Sequence, residues 1–218
     1  MYFENRLEAG ERLGDLLVGD YRYENCAVMA LSEGGVLVAE PVAAKLHCIM
    51  TMIVTEDIDI PGEGLSFGGV SSNGNFTYNS DFSTGEAQEY TNEFHGYLEE
   101  QKREAYQRIN RQLDKDSLID VRTLHGRTII LVTDGMYNAG VLDVVLDFLK
   151  PVKYEKLVLA APVASIPAID KARSVVDDVQ VLDMKENFMD TNHYYNDNTV
   201  PSRAEAIARI DQIIAKWR

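Results

Sequence analysis

A carboxylate at the end of a buried apolar run is the residue best placed for chemistry in this sequence. Asp134 and its neighbour Thr133 follow the run Thr128–Val132, and a turn bounded by Gly135 and Gly140 comes next. Such a run is typical of a strand buried on both faces, and the residues after the turn have helical spacing. A carboxylate here can bind ligand hydroxyls, and amides before a helix can bind an anion. A helix-capping carboxylate and an ordinary glycine turn are the alternatives.

A second glycine turn follows another apolar run. Glu33, Gly34 and Gly35 separate the run Ala27–Leu31 from Val36–Leu46, which has helical character. In open α/β sheets, ligands bind beyond the carboxyl ends of the strands. We therefore predict that a ligand site lies on the loops at 32–35, 55–63 and 133–140.

Metal-ligating residues form no recognisable motif. The four histidines lack metal-ligand spacing, and Cys26 and Cys48 lie in apolar runs where a thiol behaves as a small hydrophobe. Loop carboxylates could converge on a cation, but carboxylates in loops are usually solvated. We predict no metal site. The carboxylates considered are Glu33, Glu56, Asp57 and Glu63.

Strand-like runs alternate with helical segments along the chain, which predicts an α/β fold with a mainly parallel sheet and helices on both faces. We interpret 1–218 as a single domain in which 61–92, rich in Gly, Ser, Asn and Thr, forms short strands and a small hood, with 71–92 as a flexible excursion. Ser202 and Glu205 predict a capping box. The predicted strands are Ala27–Leu31, Ile49–Val54, Thr128–Val132, Leu157–Ala161 and Val179–Leu182. The predicted helices are an opening helix, Val36–Leu46, Glu93–Leu113, Gly140–Lys150, Ile166–Val175 and a final helix with Ile207, Ile210, Ile214 and Trp217 on one face.

The chain is acidic, with a formal net charge of −14. An acidic surface repels phosphate backbones, so nucleic acid is not an expected partner. No apolar stretch reaches the length of a membrane span, and we expect a cytoplasmic protein without membrane contact. The charged helix Glu93–Leu113 carries both signs at helical spacing, which fits a solvated face or a homodimer contact.

Motifs in chain order resemble the type I phosphoribosyltransferase family over nearly the whole sequence. The resemblance identifies the turn after Val132 with the family's main ligand loop. Tyr194-Tyr195-Asn196-Asp197 also resembles a family segment, although a packed turn is the preferred interpretation. The matching stretches are Phe3-x-x-Arg6-x-x-Ala9-Gly10 (opening helix), Ala30 to Ala39 (pyrophosphate loop), Gly126 to Val132 (lead-in strand), Val132 to Gly140 (main loop) and Ala160 to Ala164 (next strand).

The resemblance implies a chemistry. In the family, two adjacent carboxylates hold the ribose hydroxyls of phosphoribosyl pyrophosphate, and a Thr-Gly-x-Thr turn holds the 5′-phosphate. Basic residues meet the pyrophosphate, which carries Mg²⁺. Catalysis would then be mostly electrostatic. By this resemblance Asp134 is the catalytic candidate. The predicted ligand-binding residues are Glu33, Gly34, Gly35, Thr133, Asp134, Gly135, Met136, Tyr137, Asn138, Ala139, Gly140 and Val141.

Several positions depart from the family pattern. Thr133 replaces the first carboxylate, and 138–141 reads Asn-Ala-Gly-Val where both hydroxyls are expected. Glu33 replaces an arginine, and Thr55-Glu56 replaces an Arg-Lys pair. The prediction is a phosphoribosyltransferase-like protein with a degenerate site, which is catalytically weak or inactive and has a binding or regulatory role. The alternatives are an active transferase that uses Mg²⁺ and an unknown base, and an interaction subunit that pairs with an intact paralogue.

Overall fold

The computed structural model describes residues 1–112 and 121–216. Leu113 and Trp217, which were predicted as part of two helices, lie outside the described residues, as does the side chain of Ile214. The strands are β1 (Cys26–Ala30), β2 (Ile49–Met52), β3 (Thr55–Asp59), β4 (Ser66–Ser71), β5 (Phe76–Tyr78), β6 (Thr128–Val132), β7 (Lys156–Ser165) and β8 (Asp178–Lys185). The α-helices are α1 (Arg6–Tyr21), α2 (Glu33–Leu46), α3 (Thr84–Glu93), α4 (His95–Gln112), α5 (Gly140–Leu149), α6 (Ile166–Arg173) and α7 (Arg203–Lys216).

The described residues form two compact units. The first contains 1–52, 121–139 and 152–216, and the second contains 53–112 and 140–151. Each is described by itself below. The interpretation of 1–218 as a single domain stays a prediction.

The first unit is built on a five-stranded sheet in the order β2-β1-β6-β7-β8, and every pairing is parallel. All five residues of β1 and of β6 are buried, as expected of central strands covered on both faces. From β1 the chain continues to β2 on one side, whereas β6 lies on the other side. The gap between β1 and β6 is therefore the point where the strand order reverses, and such points bind ligands in open α/β sheets.

Helices α1 and α2 pack closely because α1 carries glycine at the contact. A Cβ atom on Gly10 would lie 2.3 Å from the carbonyl oxygen of Val38, and one on Gly14 would lie 2.8 Å from the Lys45 side chain. Both helices and α7 share one buried apolar cluster with alternate residues of β1, such as Val28. The predicted capping box of the last helix is confirmed, since the Ser202 amide donates to the Glu205 carboxylate at 2.8 Å.

The second unit contains a three-stranded antiparallel sheet in the order β3-β4-β5. Helices α4 and α5 both pack against β4. The predicted short strands within 61–92 are confirmed by β4 and β5. The flexibility of 71–92 stays a prediction.

The five strands predicted for the parallel sheet are confirmed, together with the α/β fold class. Two expectations were wrong. Residues 55–59 form β3 rather than a loop, because pairing with β4 outweighs their polar composition. Helix α3 lies inside the segment expected to be an excursion, and a capping box of Ser83 and Glu86 begins it. Within the described residues, no helix is long and apolar enough to cross a membrane.

Candidate functional site

The loops that follow β1 and β6 are neighbours in space. Ala30 and Val132, the last residues of the two strands, are paired in register. The next amide, that of Leu31, donates to the Val132 carbonyl at 2.9 Å. The pairing brings together Gly34 and Asp134, two of the residues named as ligand-binding candidates.

Asp134 is held by three side chains. Its Oδ1 accepts a hydrogen bond from the Ser32 hydroxyl at 3.0 Å, and its Oδ2 accepts one from Arg6 Nε at 2.8 Å. The Tyr195 hydroxyl donates to its backbone carbonyl. Asp134 is only 9% exposed. Both carboxylate oxygens therefore already have partners within the protein.

Arg6 is the cation of this arrangement and is 2% exposed. Its Nη2 donates to the Asn192 side-chain oxygen at 2.7 Å, and its guanidinium lies 4.6 Å from the centre of the Tyr195 ring. Its Nη1 is buried and has no hydrogen-bond partner within the described residues. Because a buried donor without an acceptor costs free energy, this atom is suited to a ligand or water oxygen.

Tyr195 connects the chain's first residues to Asp134. Its ring stacks on Phe3 with ring centres 5.7 Å apart, and the Phe3 carbonyl accepts a hydrogen bond from the Asn196 amide. Burial, followed by the negative charge of Asp134, raises the pKa of the Tyr195 phenol, so the hydroxyl remains a donor at neutral pH. The segment is packed, as the preferred interpretation stated, and it also contacts the site.

The glycines after β1 make room for this network. A Cβ atom on Gly34 would lie 2.2 Å from Asp134 Oδ2, which no real side chain could tolerate. The Gly35 amide donates to the Ser32 hydroxyl at 2.9 Å and so caps α2. The pair of glycines thus allows α2 to begin directly against the Asp134 carboxylate.

Thr133 is buried and uses its hydroxyl locally. The hydroxyl donates to the Gly135 carbonyl at 2.9 Å and accepts from the Gly135 amide at 3.3 Å. A carboxylate at this position could not donate to that carbonyl. Thr133 therefore stabilises the turn and contributes no negative charge.

The rest of the predicted loop runs beside β7. The Met136 amide donates to the Val163 carbonyl at 3.1 Å, and its own carbonyl accepts from the Ser165 amide at 2.9 Å. Met136 and Ala139 are each 2% exposed, whereas Tyr137 is 65% exposed. The loop ends at Asn138 and Ala139. Gly140 and Val141 begin α5, in the second unit.

Glu33 forms an ion pair with a residue far along the chain. Its Oε1 lies 2.6 Å from Nε of Arg203, the first residue of α7. The two side chains are 27% and 18% exposed, respectively. The negative charge at the start of α2 is therefore balanced by an arginine at the start of α7.

The remaining candidates for metal or thiol chemistry have contacts of their own. Glu56 pairs with Arg108 at 3.4 Å in the second unit. No cluster of three or more His, Cys, Asp or Glu residues able to hold a metal ion occurs in the described part of the chain. Cys26 and Cys48 are free and buried, and burial raises the pKa values of their thiols to about 11 and about 12.

Comparison with known proteins agrees with this arrangement of strands and loops. The family model described as the phosphoribosyl transferase domain matches residues 3–196. The chain belongs to this family. The match confirms the resemblance noted in the sequence. It does not identify the ligand.

Three relatives illustrate the match. Two Mycobacterium tuberculosis proteins, from strains CDC 1551 and H37Rv, each named "Putative phosphoribosyl transferase", are 25% identical over 214 residues. The alignment covers 96% of this chain but only 46% of their length, so the chain spans about half of these relatives. The crystal structure of TT1426 from Thermus thermophilus has a TM-score of 0.73 and 23% identity, covering 97% of this chain and 99% of that one. This likeness shows the shared fold.

Four residues of the site were missed as ligand-site candidates: Arg6, Ser32, Asn192 and Arg203. Arg6 belongs to the opening motif Phe3-x-x-Arg6-x-x-Ala9-Gly10, one of the stretches that carry the family resemblance. Ser32 had the signal of a helix N-cap directly before Glu33. Nothing local indicated Asn192 or Arg203 as partners of residues so distant in the sequence.

Proposed function

We propose that this phosphoribosyl transferase domain binds a phosphoribosyl or related anionic ligand at the loops after β1 and β6, without efficient transfer. The observation that carries the proposal is the state of Asp134. Its two carboxylate oxygens are bound by Ser32 and Arg6, at 3.0 and 2.8 Å. The neighbouring position, where the family resemblance implies a second carboxylate, is Thr133.

The chemistry of transfer explains why this matters. As pyrophosphate departs, positive charge develops on the ribosyl centre, and fixed negative charge nearby lowers the barrier. A carboxylate paired with a buried guanidinium offers little net charge to that centre, and Thr133 offers none. The electrostatic contribution to transfer is therefore small, although hydroxyl and amide groups remain for binding.

The two arginines that could attract an anion at these loops are each paired with a carboxylate. Arg6 pairs with Asp134, and Arg203 pairs with Glu33. The residues present do not fit a protein-held Mg²⁺, because Asp134 is occupied. Magnesium would arrive only with a pyrophosphate ligand. We expect weak binding that depends on the loops' backbone and on those arginines.

Calorimetry with phosphoribosyl pyrophosphate and Mg²⁺ tests the proposal. The wild type should bind very weakly. A double variant within the first unit, Glu33→Arg and Thr133→Asp, restores two positions of the family pattern, and a charge pair at 4 Å is worth about 4 kcal/mol at an effective dielectric of 20. Even a fraction of this value would raise affinity by an order of magnitude or more. Tight binding by the wild type, or no gain in the double variant, would contradict a degenerate site.

An active transferase is the second candidate, and the Glu33–Arg203 pair favours it. A cation does lie beside the position where the family has an arginine, so the pyrophosphate end is less repulsive than the sequence implied. Turnover assays with a panel of nucleobases separate the two candidates. Efficient product formation by the wild type, lost in Asp134→Asn, would establish the active enzyme and refute our first proposal.

A further inference from the structure

The start of α2 combines a charge pair with an unsatisfied donor. Glu33, the first residue of the helix, is paired with Arg203. The next residue, Gly34, lies against Arg6, since a Cβ atom there would be 3.0 Å from Arg6 Nε. The buried Nη1 of the same arginine has no partner within the described residues. At this helix end, Arg6 Nη1 therefore has no acceptor among the described residues, and Arg203 is already paired with a carboxylate.

We propose that Arg203 is an anion-binding residue of this site and that Glu33 masks it. The inference rests on the proposed function, because it assumes an anionic ligand at the α2 N-terminus. An arriving phosphate or pyrophosphate oxygen competes with the Glu33 carboxylate for the Arg203 guanidinium. Glu33 thereby sets the affinity of the site without touching the ligand.

The chemistry of both side chains suits this exchange. A guanidinium presents a planar set of donors that matches phosphate as well as carboxylate, so one partner can replace the other. Both side chains are partly exposed, at 18% and 27%, so the pair can open without unfolding the helix. The helix N-terminus favours whichever anion occupies it.

The same two helices provide a matched control. Arg209 of α7 pairs with Glu40 of α2 at 2.8 Å, and these side chains are 40% and 30% exposed. This second pair has the same residue types but lies about two turns along α2, away from its N-terminus. Replacing Glu40 changes the net charge equally and leaves the proposed site alone.

Titration calorimetry of the whole chain with inorganic pyrophosphate tests the proposal. Glu33→Gln should raise the affinity by at least about fivefold, the lower end of typical coupling between sites. Glu40→Gln should change it by less than about twofold, since exposed charges far from a ligand are screened. Adding Arg203→Gln to Glu33→Gln should abolish the gain, whereas adding Arg203→Lys should retain part of it. Melting temperatures confirm that each variant is folded.

Equal gains in pyrophosphate affinity in Glu33→Gln and Glu40→Gln would show that the change in net charge alone explains the effect. This result would overturn the proposal. So would a gain that survives Arg203→Gln, or the absence of pyrophosphate binding in a folded Glu33→Gln variant. The proposed function fails on a different result, namely efficient turnover of phosphoribosyl pyrophosphate by the wild type. The two failures are therefore distinguishable.

Discussion

Replacing Arg6 with methionine should destabilise the protein severely, because the change leaves the Asp134 carboxylate buried without its cation. The two side chains are 2% and 13% exposed, and the Nε–Oδ2 distance is 2.8 Å. Removing one partner of a buried ion pair costs about 3–5 kcal/mol, since the other charge stays desolvated. For a chain of this size, each kcal/mol lowers the melting temperature by about 2–4 °C, which gives a fall of about 6–20 °C.

Urea denaturation of Arg6→Met and Arg12→Met measures this cost against a control on the same helix. Arg12 pairs with Glu8 on the exposed face of α1, and its side chain is 46% exposed. Exposed pairs contribute about 0–1 kcal/mol, so Arg12→Met should be nearly neutral. Arg6→Met combined with Asp134→Asn should recover part of the loss. If Arg6→Met and Arg12→Met differ by less than about 1 kcal/mol, the buried pair does not stabilise the site as argued.

Three further predictions concern mobility, packing and thiol chemistry. Amides in 71–92 should exchange hydrogen faster than those in Thr128–Val132, because few of these residues bury apolar surface; equal protection would contradict this. Gly34→Ala should lower the free energy of unfolding, measured in a thermal or urea melt, by about 1–3 kcal/mol, because its Cβ atom would lie 2.2 Å from a carboxylate oxygen. Gly85→Ala is the control and should not destabilise the protein, because the space around Gly85 is open. Burial raises the pKa values of the Cys26 and Cys48 thiols to about 11 and about 12. At pH 8 their reaction with Ellman's reagent should therefore be roughly a hundredfold and roughly a thousandfold slower, respectively, in the folded protein than in urea. Fast labelling of the folded protein would show that the thiols are accessible.

The parallel sheet could be predicted because its signal is local. Runs such as Thr128–Val132 are apolar at nearly every position, which only a strand buried on both faces requires. The alternation of such runs with helical segments then determined the class of fold. The boundaries of β2, β7 and β8 differed from those predicted, and β7 differed most. Its ten residues extend beyond the predicted Leu157–Ala161, since the loop at Met136 continues the pairing.

The second unit was harder to predict because its elements depend on pairing rather than composition. Glu56, Asp57 and Asp59 give β3 the polarity of a loop, and only its register with β4 makes it a strand. Helix α3 has no buried residue, so it shows no apolar face. The Ser83-x-x-Glu86 capping box was the sequence signal that could have indicated this helix.

The location of the candidate site was predictable, but the contacts within it were not. The ends of β1 and β6 lie side by side at one edge of the sheet, which brings the loops with Gly34 and Asp134 together. The partners of Asp134 come from far along the chain. Arg6 is 128 residues from it, and Asn192 is 186 residues from Arg6. The charge of Glu33 was known from the sequence, whereas its neutralisation by Arg203 depends on where α7 packs.

The Arg6 network also affects how the chain is made. During synthesis Arg6 precedes Asp134 by 128 residues, and Tyr195 follows Asp134 by another 61. Until then the guanidinium has none of its final partners and remains in water, because burying it unpaired is too costly. Helix α1 therefore cannot complete its contacts until the residues up to Tyr195 have been synthesised. Completion of the Arg6 network is a late step of folding, and contacts so distant in sequence slow folding.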